Sequence, residues 1–131
     1  MAELMKHIDI HVVIDFIDVS SYHGGTESTG TILIKKDVGM DIAGRDVIIV
    51  EDIVDTGRTL KALIENLLER KVASVTCASL LDKPEARIVD IEPDYIGLVC
   101  PKAFVVGFGL DYEERYRNTP YVGVLKEEIY S

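Results

Sequence analysis

Residues 47–60, VIIVEDIVDTGRTL, constrain the fold more than any other stretch of this chain. Val47 to Val50 are four consecutive β-branched apolar residues and read as a buried strand. The strand ends in two carboxylates, Glu51 and Asp52, and a tight loop, Asp55-Thr56-Gly57-Arg58-Thr59, then opens a helix. In that helix Leu60, Leu63, Ile64, Leu67 and Leu68 recur at i, i+3, i+4, i+7 and i+8, with Lys61, Glu65 and Glu69 on the opposite face. A second apolar strand follows at 74–81, SVTCASLL. Strand, helix, strand in this order predicts an α/β sheet with parallel central strands.

The loop is an anion cradle. Backbone N–H groups at a helix start are unpaired and carry positive partial charge. Gly57 lets the backbone approach a ligand closely, Thr56 and Thr59 add hydroxyls, and Arg58 adds charge. A phosphate monoester fits such a loop. Bare carboxylates would repel it, so Glu51 and Asp52 must face sugar hydroxyls or a Mg2+ ion instead. Together these features suggest a phosphorylated ribose, held at its phosphate and at its hydroxyls. Taken singly, Asp55 and Thr56 are ordinary helix caps and Glu51-Asp52 an ordinary solvated strand end. A Walker A loop is excluded because no GxxxxGK[ST] occurs, and Gly107-Phe108-Gly109 reads as a turn rather than a dinucleotide site.

Elsewhere, 8–19 (IDIHVVIDFIDV) and 31–36 (TILIKK) read as strands of a long-looped hairpin, with the turn-forming run 20–30 (SSYHGGTESTG) as a mobile loop. Gly44 marks a turn, and Asp94–Val99, Phe104–Phe108 and Val122–Leu125 read as further strands. With 131 residues, the chain fits one domain spanning 1–131. A net charge of −9 argues against nucleic acid or an anionic membrane as the main partner. No apolar run has the length of a membrane helix or a signal peptide core. Cys77 and Cys100 show no CxxC spacing and are expected to be buried, reduced thiols of a cytoplasmic protein.

The strand, acidic pair and D-T-G-x-T loop resemble the phosphoribosyl-pyrophosphate signature of the type I phosphoribosyltransferases. Further stretches resemble the hypoxanthine-guanine branch of that family: Ser79-Leu80-Leu81-Asp82-Lys83-Pro84, Phe104-Val105-Val106-Gly107-Phe108-Gly109-Leu110-Asp111-Tyr112, Tyr116-Arg117-Asn118 and Tyr121-Val122-Gly123-Val124-Leu125. The resemblance implies a three-layer fold with a mostly parallel sheet and a Mg2+-dependent transfer of phosphoribosyl to a 6-oxopurine. It assigns the ribose hydroxyls and Mg2+ to Glu51 and Asp52, and general acid/base work near purine N7 to Asp55. Asp55 through Thr59 would wrap the 5′-phosphate. Lys83 would donate to the 6-oxo group, Phe104 would stack on the base, and the Val105 backbone would bond its Watson–Crick edge. Asp111, beside the base, would serve a second Mg2+, and Arg117 would meet pyrophosphate. Ser20-Ser21-Tyr22 heads the flexible catalytic loop. Lysine is a donor without an acceptor, which suits an oxo group and not an exocyclic amine. The family habit is a homo-oligomer.

The resemblance also implies a departure. Met1-Ala2-Glu3-Leu4 resembles an internal helix of the family, so the segment carrying its first core strand and the Leu-Lys-Gly-like pyrophosphate loop is unmatched. Impaired catalysis and a sheet with a gap or exposed edges are the expectations. Two rival readings stay open: a nucleotide-binding module without turnover on the same fold, and an RNA-binding regulator, which the acidic charge fits poorly.

Overall fold

The computed structural model describes residues 1–21 and 32–131, Ser21 by its backbone alone. A short helix α1 (Ala2–Met5) precedes the hairpin strands β1 (Asp18–Ser21) and β2 (Ile32–Lys36), which pair antiparallel. Next come β3 (Asp46–Val54), α2 (Arg58–Glu69), β4 (Ser74–Asp82) and, after a single 3-10 turn at Pro84–Ala86, β5 (Tyr95–Val99). Strands β3, β4 and β5 form a parallel sheet in that order. A two-residue ladder, β6 (Val105–Val106) with β7 (Gly123–Val124), and a terminal helix α3 (Glu127–Tyr130) complete the chain.

The core lies where α2 crosses the sheet. Leu60, Leu63 and Leu67 pack with Ile49, Val54, Val72 and Cys77, and the hairpin adds Ile17, Val19 and Ile32 from the side. The apolar stripe read from the sequence is therefore the buried face, except for Leu68, which is 52% exposed at the stripe's margin. Leu63 is 1% exposed. Leu63→Ala is expected to cost about 2–5 kcal/mol, the usual range for emptying a fully enclosed leucine site, measured by urea unfolding.

Three elements differ from the sequence reading. The strand expected over 8–19 is confined to its end, because β2 offers pairing partners only from Lys36 to Ile32. Upstream, Ile10, Val13 and Phe16 are exposed, and no described strand covers them. The backbone there is held instead by polar bonds: Gly39 N–H and Phe16 N–H donate to the Asp15 carboxylate at 2.7 and 2.8 Å. These amides hold the Asp15 carboxyl below its ordinary pKa. Strand β3 runs on through Glu51 and Asp52 to Val54, since β4 continues to pair with it as far as Asp82. The strand expected at 104–108 shrinks to two residues, because Gly107, Phe108 and Gly109 all have positive φ and turn the chain. Among the described residues, β3 and β5 are the outer strands of the parallel sheet, and every residue of β5 is exposed.

Candidate active site

In an open parallel sheet, ligands gather beyond the carboxyl ends of the strands. Register decides what stands there. Val54 pairs with Asp82 at the last rung between β3 and β4, so the next residues, Asp55 and Lys83, emerge side by side. Lys83 Nζ lies 3.6 Å from Asp55 Oδ2, with the lysine side chain 10% exposed and the aspartate 52%. At that exposure the pair is an orienting contact and adds little stability.

A cavity of about 190 Å3 opens at this point, lined by Glu51, Ile53, Val54, Asp55, Thr56, Gly57, Thr59 and Leu60. Gly57 precedes α2 with φ +83°. A Cβ there would stand 2.6 Å from Ile91 Cγ2 and 2.8 Å from Arg87 Cδ. Gly57→Ala is expected to lower stability by about 1–3 kcal/mol through left-handed strain and this clash. A matching loss of nucleotide affinity should appear in calorimetric titration with GMP. Arg58 N–H reaches Thr56 Oγ1 at a long 3.4 Å, so the helix start has no strong side-chain cap. Its amides are correspondingly available to an anion.

Glu51 and Asp52 part company, because consecutive strand side chains point to opposite faces. Glu51 lines the cavity and Asp52 does not; Asp52 Oδ1 accepts the Ile53 N–H at 2.7 Å. Burial, and secondarily the Asp52 charge, push the Glu51 carboxyl up to about 7.

The purine-side residues sit on the neighbouring elements. Phe104 meets Tyr112 edge-on at 5.5 Å between ring centroids and Tyr130 in a tilted stack at 5.2 Å. Val105 is buried in the β6–β7 ladder. Asp111 and Arg117 pair with each other at 3.1 Å, and Arg117 also binds Glu114 at 3.1 Å and the Gly109 carbonyl at 3.0 Å. Neither lines the cavity. Tyr22 lies outside the described residues, as does the side chain of Ser21. Among the described residues no group of three or more His, Cys, Asp or Glu side chains converges as a metal cage. A Mg2+ ion does not need one, since it takes one or two carboxylates and completes its shell with waters and substrate phosphates.

Sequence reasoning missed three residues. Tyr130 braces Phe104 from the chain's end, and no spacing signals that contact. Asp82 and Arg87 form a buried ion pair beneath the loop. Asp82 is only 3% exposed, and a carboxylate closing an apolar strand was the one available signal. Both thiols are free, with Cys77 buried and Cys100 half-buried. Burial raises each above its ordinary pKa, Cys77 to about 11.

The phosphoribosyl transferase domain model matches residues 1–113, and the chain belongs to that family of transferase enzymes. Within it, the chain is 63% identical over 131 residues to the hypoxanthine-guanine phosphoribosyltransferase of Streptococcus pneumoniae (strain ATCC BAA-255 / R6), covering all of this chain and 73% of that protein. Its fold superposes on a crystal structure of hypoxanthine phosphoribosyltransferase from Staphylococcus aureus with a TM-score of 0.93 at 58% identity, covering 99% of this chain and 71% of that one. The Trypanosoma cruzi enzyme, solved as a point mutant complexed with the product IMP, gives a TM-score of 0.86 at 42% identity, over 93% of this chain and 61% of that one. The type I fold with its parallel sheet, expected from the resemblance, is the one observed.

Proposed function

We propose that this chain transfers phosphoribosyl from phosphoribosyl pyrophosphate to N9 of hypoxanthine or guanine, giving IMP or GMP and pyrophosphate. The observation that carries the reading is the adjacency of Lys83 and Asp55 at the mouth of the Gly57 loop. It sets a base-selecting donor beside a ribosyl-phosphate cradle, as an N-glycosidic transfer needs.

In this reading the amides of residues 55–59 and the hydroxyls of Thr56 and Thr59 receive the 5′-phosphate, aided by Arg58. Lys83 donates to the 6-oxo group and holds the Asp55 carboxylate in place. Asp55 manages the proton at purine N7 while positive charge develops on the sugar's C1, and Glu51 faces the ribose hydroxyls. Phe104, braced by Tyr112 and Tyr130, offers its remaining face to the base, and the Val105 backbone its edge contact. Glu51 would hold Mg2+ in the cavity, with Asp52 contributing through water, and Asp111 would serve a second ion; bound there, Mg2+ would supply Lewis-acid stabilisation of the pyrophosphate leaving group. Arg117 would meet the pyrophosphate once its pair with Asp111 opens. Ser21, the last residue of β1, and Tyr22 head the segment to which this reading assigns the exclusion of water.

Residues 1–131 act as one domain in this reading. Free thiols fit a cytoplasmic setting. The exposed apolar residues Tyr95, Leu98 and Val99 of β5 fit a homo-oligomer interface.

A spectrophotometric assay with phosphoribosyl pyrophosphate, Mg2+ and hypoxanthine, guanine or adenine tests the reading. Conversion of the two oxopurines, with adenine disfavoured by at least about 100-fold, is expected. GMP binding without turnover would make the chain a nucleotide-binding module, and absence of both would overturn the reading.

A further inference from the structure

The segment after β4 folds back beneath the phosphate loop and grips it by its carbonyls. Lys83 N–H donates to the Val54 carbonyl at 2.9 Å, and Ile88 N–H donates to that of Thr56 at 3.1 Å. Between them, Arg87 Nη1 donates to the Asp55 carbonyl at 2.5 Å and to Val54 at 3.3 Å. Its Nη2 pairs with Asp82, whose side chain is 5% exposed. Three consecutive peptide units of the loop are therefore held from one side.

Peptide geometry fixes what happens on the other side. No peptide bond is cis, and across a trans peptide the N–H points opposite to the C=O. Holding the carbonyls of Val54, Asp55 and Thr56 toward Arg87 and Ile88 turns the N–H groups of Asp55, Thr56 and Gly57 the opposite way. Among the described residues those three amides donate to no backbone carbonyl, and all three residues line the cavity. Asp82 sets the position of the guanidinium, because a carboxylate so deeply buried requires a charged, hydrogen-bonding partner. Only a guanidinium fork can satisfy a carboxylate on one nitrogen and two carbonyls on another; an ammonium is a single point.

We propose that Arg87 is a positioning residue: anchored on Asp82, it holds the carbonyls of Val54 and Asp55 so that the loop's amides face the phosphate site. It also fixes the spacing between the Lys83 segment and the loop. The identity of the incoming anion as a nucleotide phosphate rests on the transferase reading above; the grip on the carbonyls does not.

The test uses Arg87→Lys, which keeps a cation for Asp82. The double variant Arg87→Met with Asp82→Asn leaves no buried charge unpaired, should the single variant fail to fold. Amide hydrogen exchange is read at Lys83 and Ile88, with Ala73 N–H, bonded to the Arg45 carbonyl at 2.8 Å at the other end of the sheet, as the internal control. Binding of GMP and guanosine is read on the same samples by NMR titration. Exchange at Lys83 and Ile88 is expected to quicken by at least about tenfold relative to Ala73. GMP affinity should fall by about 10- to 100-fold, the worth of charge-assisted bonds, with guanosine affinity changing far less. Wild-type exchange and GMP affinity in both variants would overturn the proposal. So would an equal loss for GMP and guanosine, which would place Arg87's role in the base site or in general stability. If the unaltered chain binds no GMP, the transferase reading fails, and the exchange comparison alone decides whether Arg87 holds the loop.

Discussion

Asp55→Asn is expected to lower kcat by about 10²- to 10⁴-fold, the range for removing a positioned general acid or base, while leaving the fold intact. Asparagine has nearly the same shape and keeps one oxygen toward Lys83, but it neither takes up nor releases a proton at neutral pH. Asp55 is the first residue beyond β3, its carboxylate half-exposed and 3.6 Å from Lys83 Nζ, so its loss should not disturb the core. Initial rates at saturating phosphoribosyl pyrophosphate and hypoxanthine measure the effect, with thermal unfolding as the control. GMP affinity should move by only a few-fold, because the phosphate is held by amides rather than by this side chain. Wild-type kcat in the variant would remove Asp55 from proton transfer.

Glu51→Gln is expected to raise stability. Burial lifts the Glu51 carboxyl from 4.5 to about 7, with Asp52's charge adding to the rise. A carboxyl with a raised folded pKa binds its proton more tightly in the folded chain. Folding therefore loses stability as pH rises from about 4.5 to about 7, and the full penalty persists above that. A rise from 4.5 to about 7 corresponds to about 3 kcal/mol. Glutamine never ionises, so the variant should match the parent near pH 4.5 and exceed it by up to about 3 kcal/mol at pH 8, with its transferase activity reduced. Urea unfolding of the ligand-free chain across that window is the measurement. A parent curve flat between pH 5 and 8 would contradict the desolvated carboxylate. A desolvated carboxylate lining the cavity is what a ribose or cation site would use, which is why stability and function pull Glu51 in opposite directions.

The comparison of sequence with structure divides along physical lines. The β3–α2–β4 unit was legible because strand and helix periods are local signals, and the Val54–Asp82 rung then places Asp55 beside Lys83. Residues 8–17 misled because a cluster of β-branched apolar residues promises a strand only where a partner strand exists, and β2 supplies five residues. The acidic pair read as one feature, yet the strand's twofold period sends Glu51 into the cavity and Asp52 away from it. Arg87 was invisible because its role is to hold carbonyls, and any residue type can present a carbonyl. Tyr130 was invisible because a contact with Phe104, 26 residues earlier in the numbering, leaves no periodic trace.

The most direct measurement is a crystal structure of this chain with GMP. The phosphate is expected within hydrogen-bond reach of the Thr56, Gly57 and Thr59 amides, and the guanine between Lys83 Nζ and the open face of Phe104. A phosphate bound away from the 55–59 loop, or a base that leaves Lys83 paired only with Asp55, would contradict the site described for this phosphoribosyltransferase.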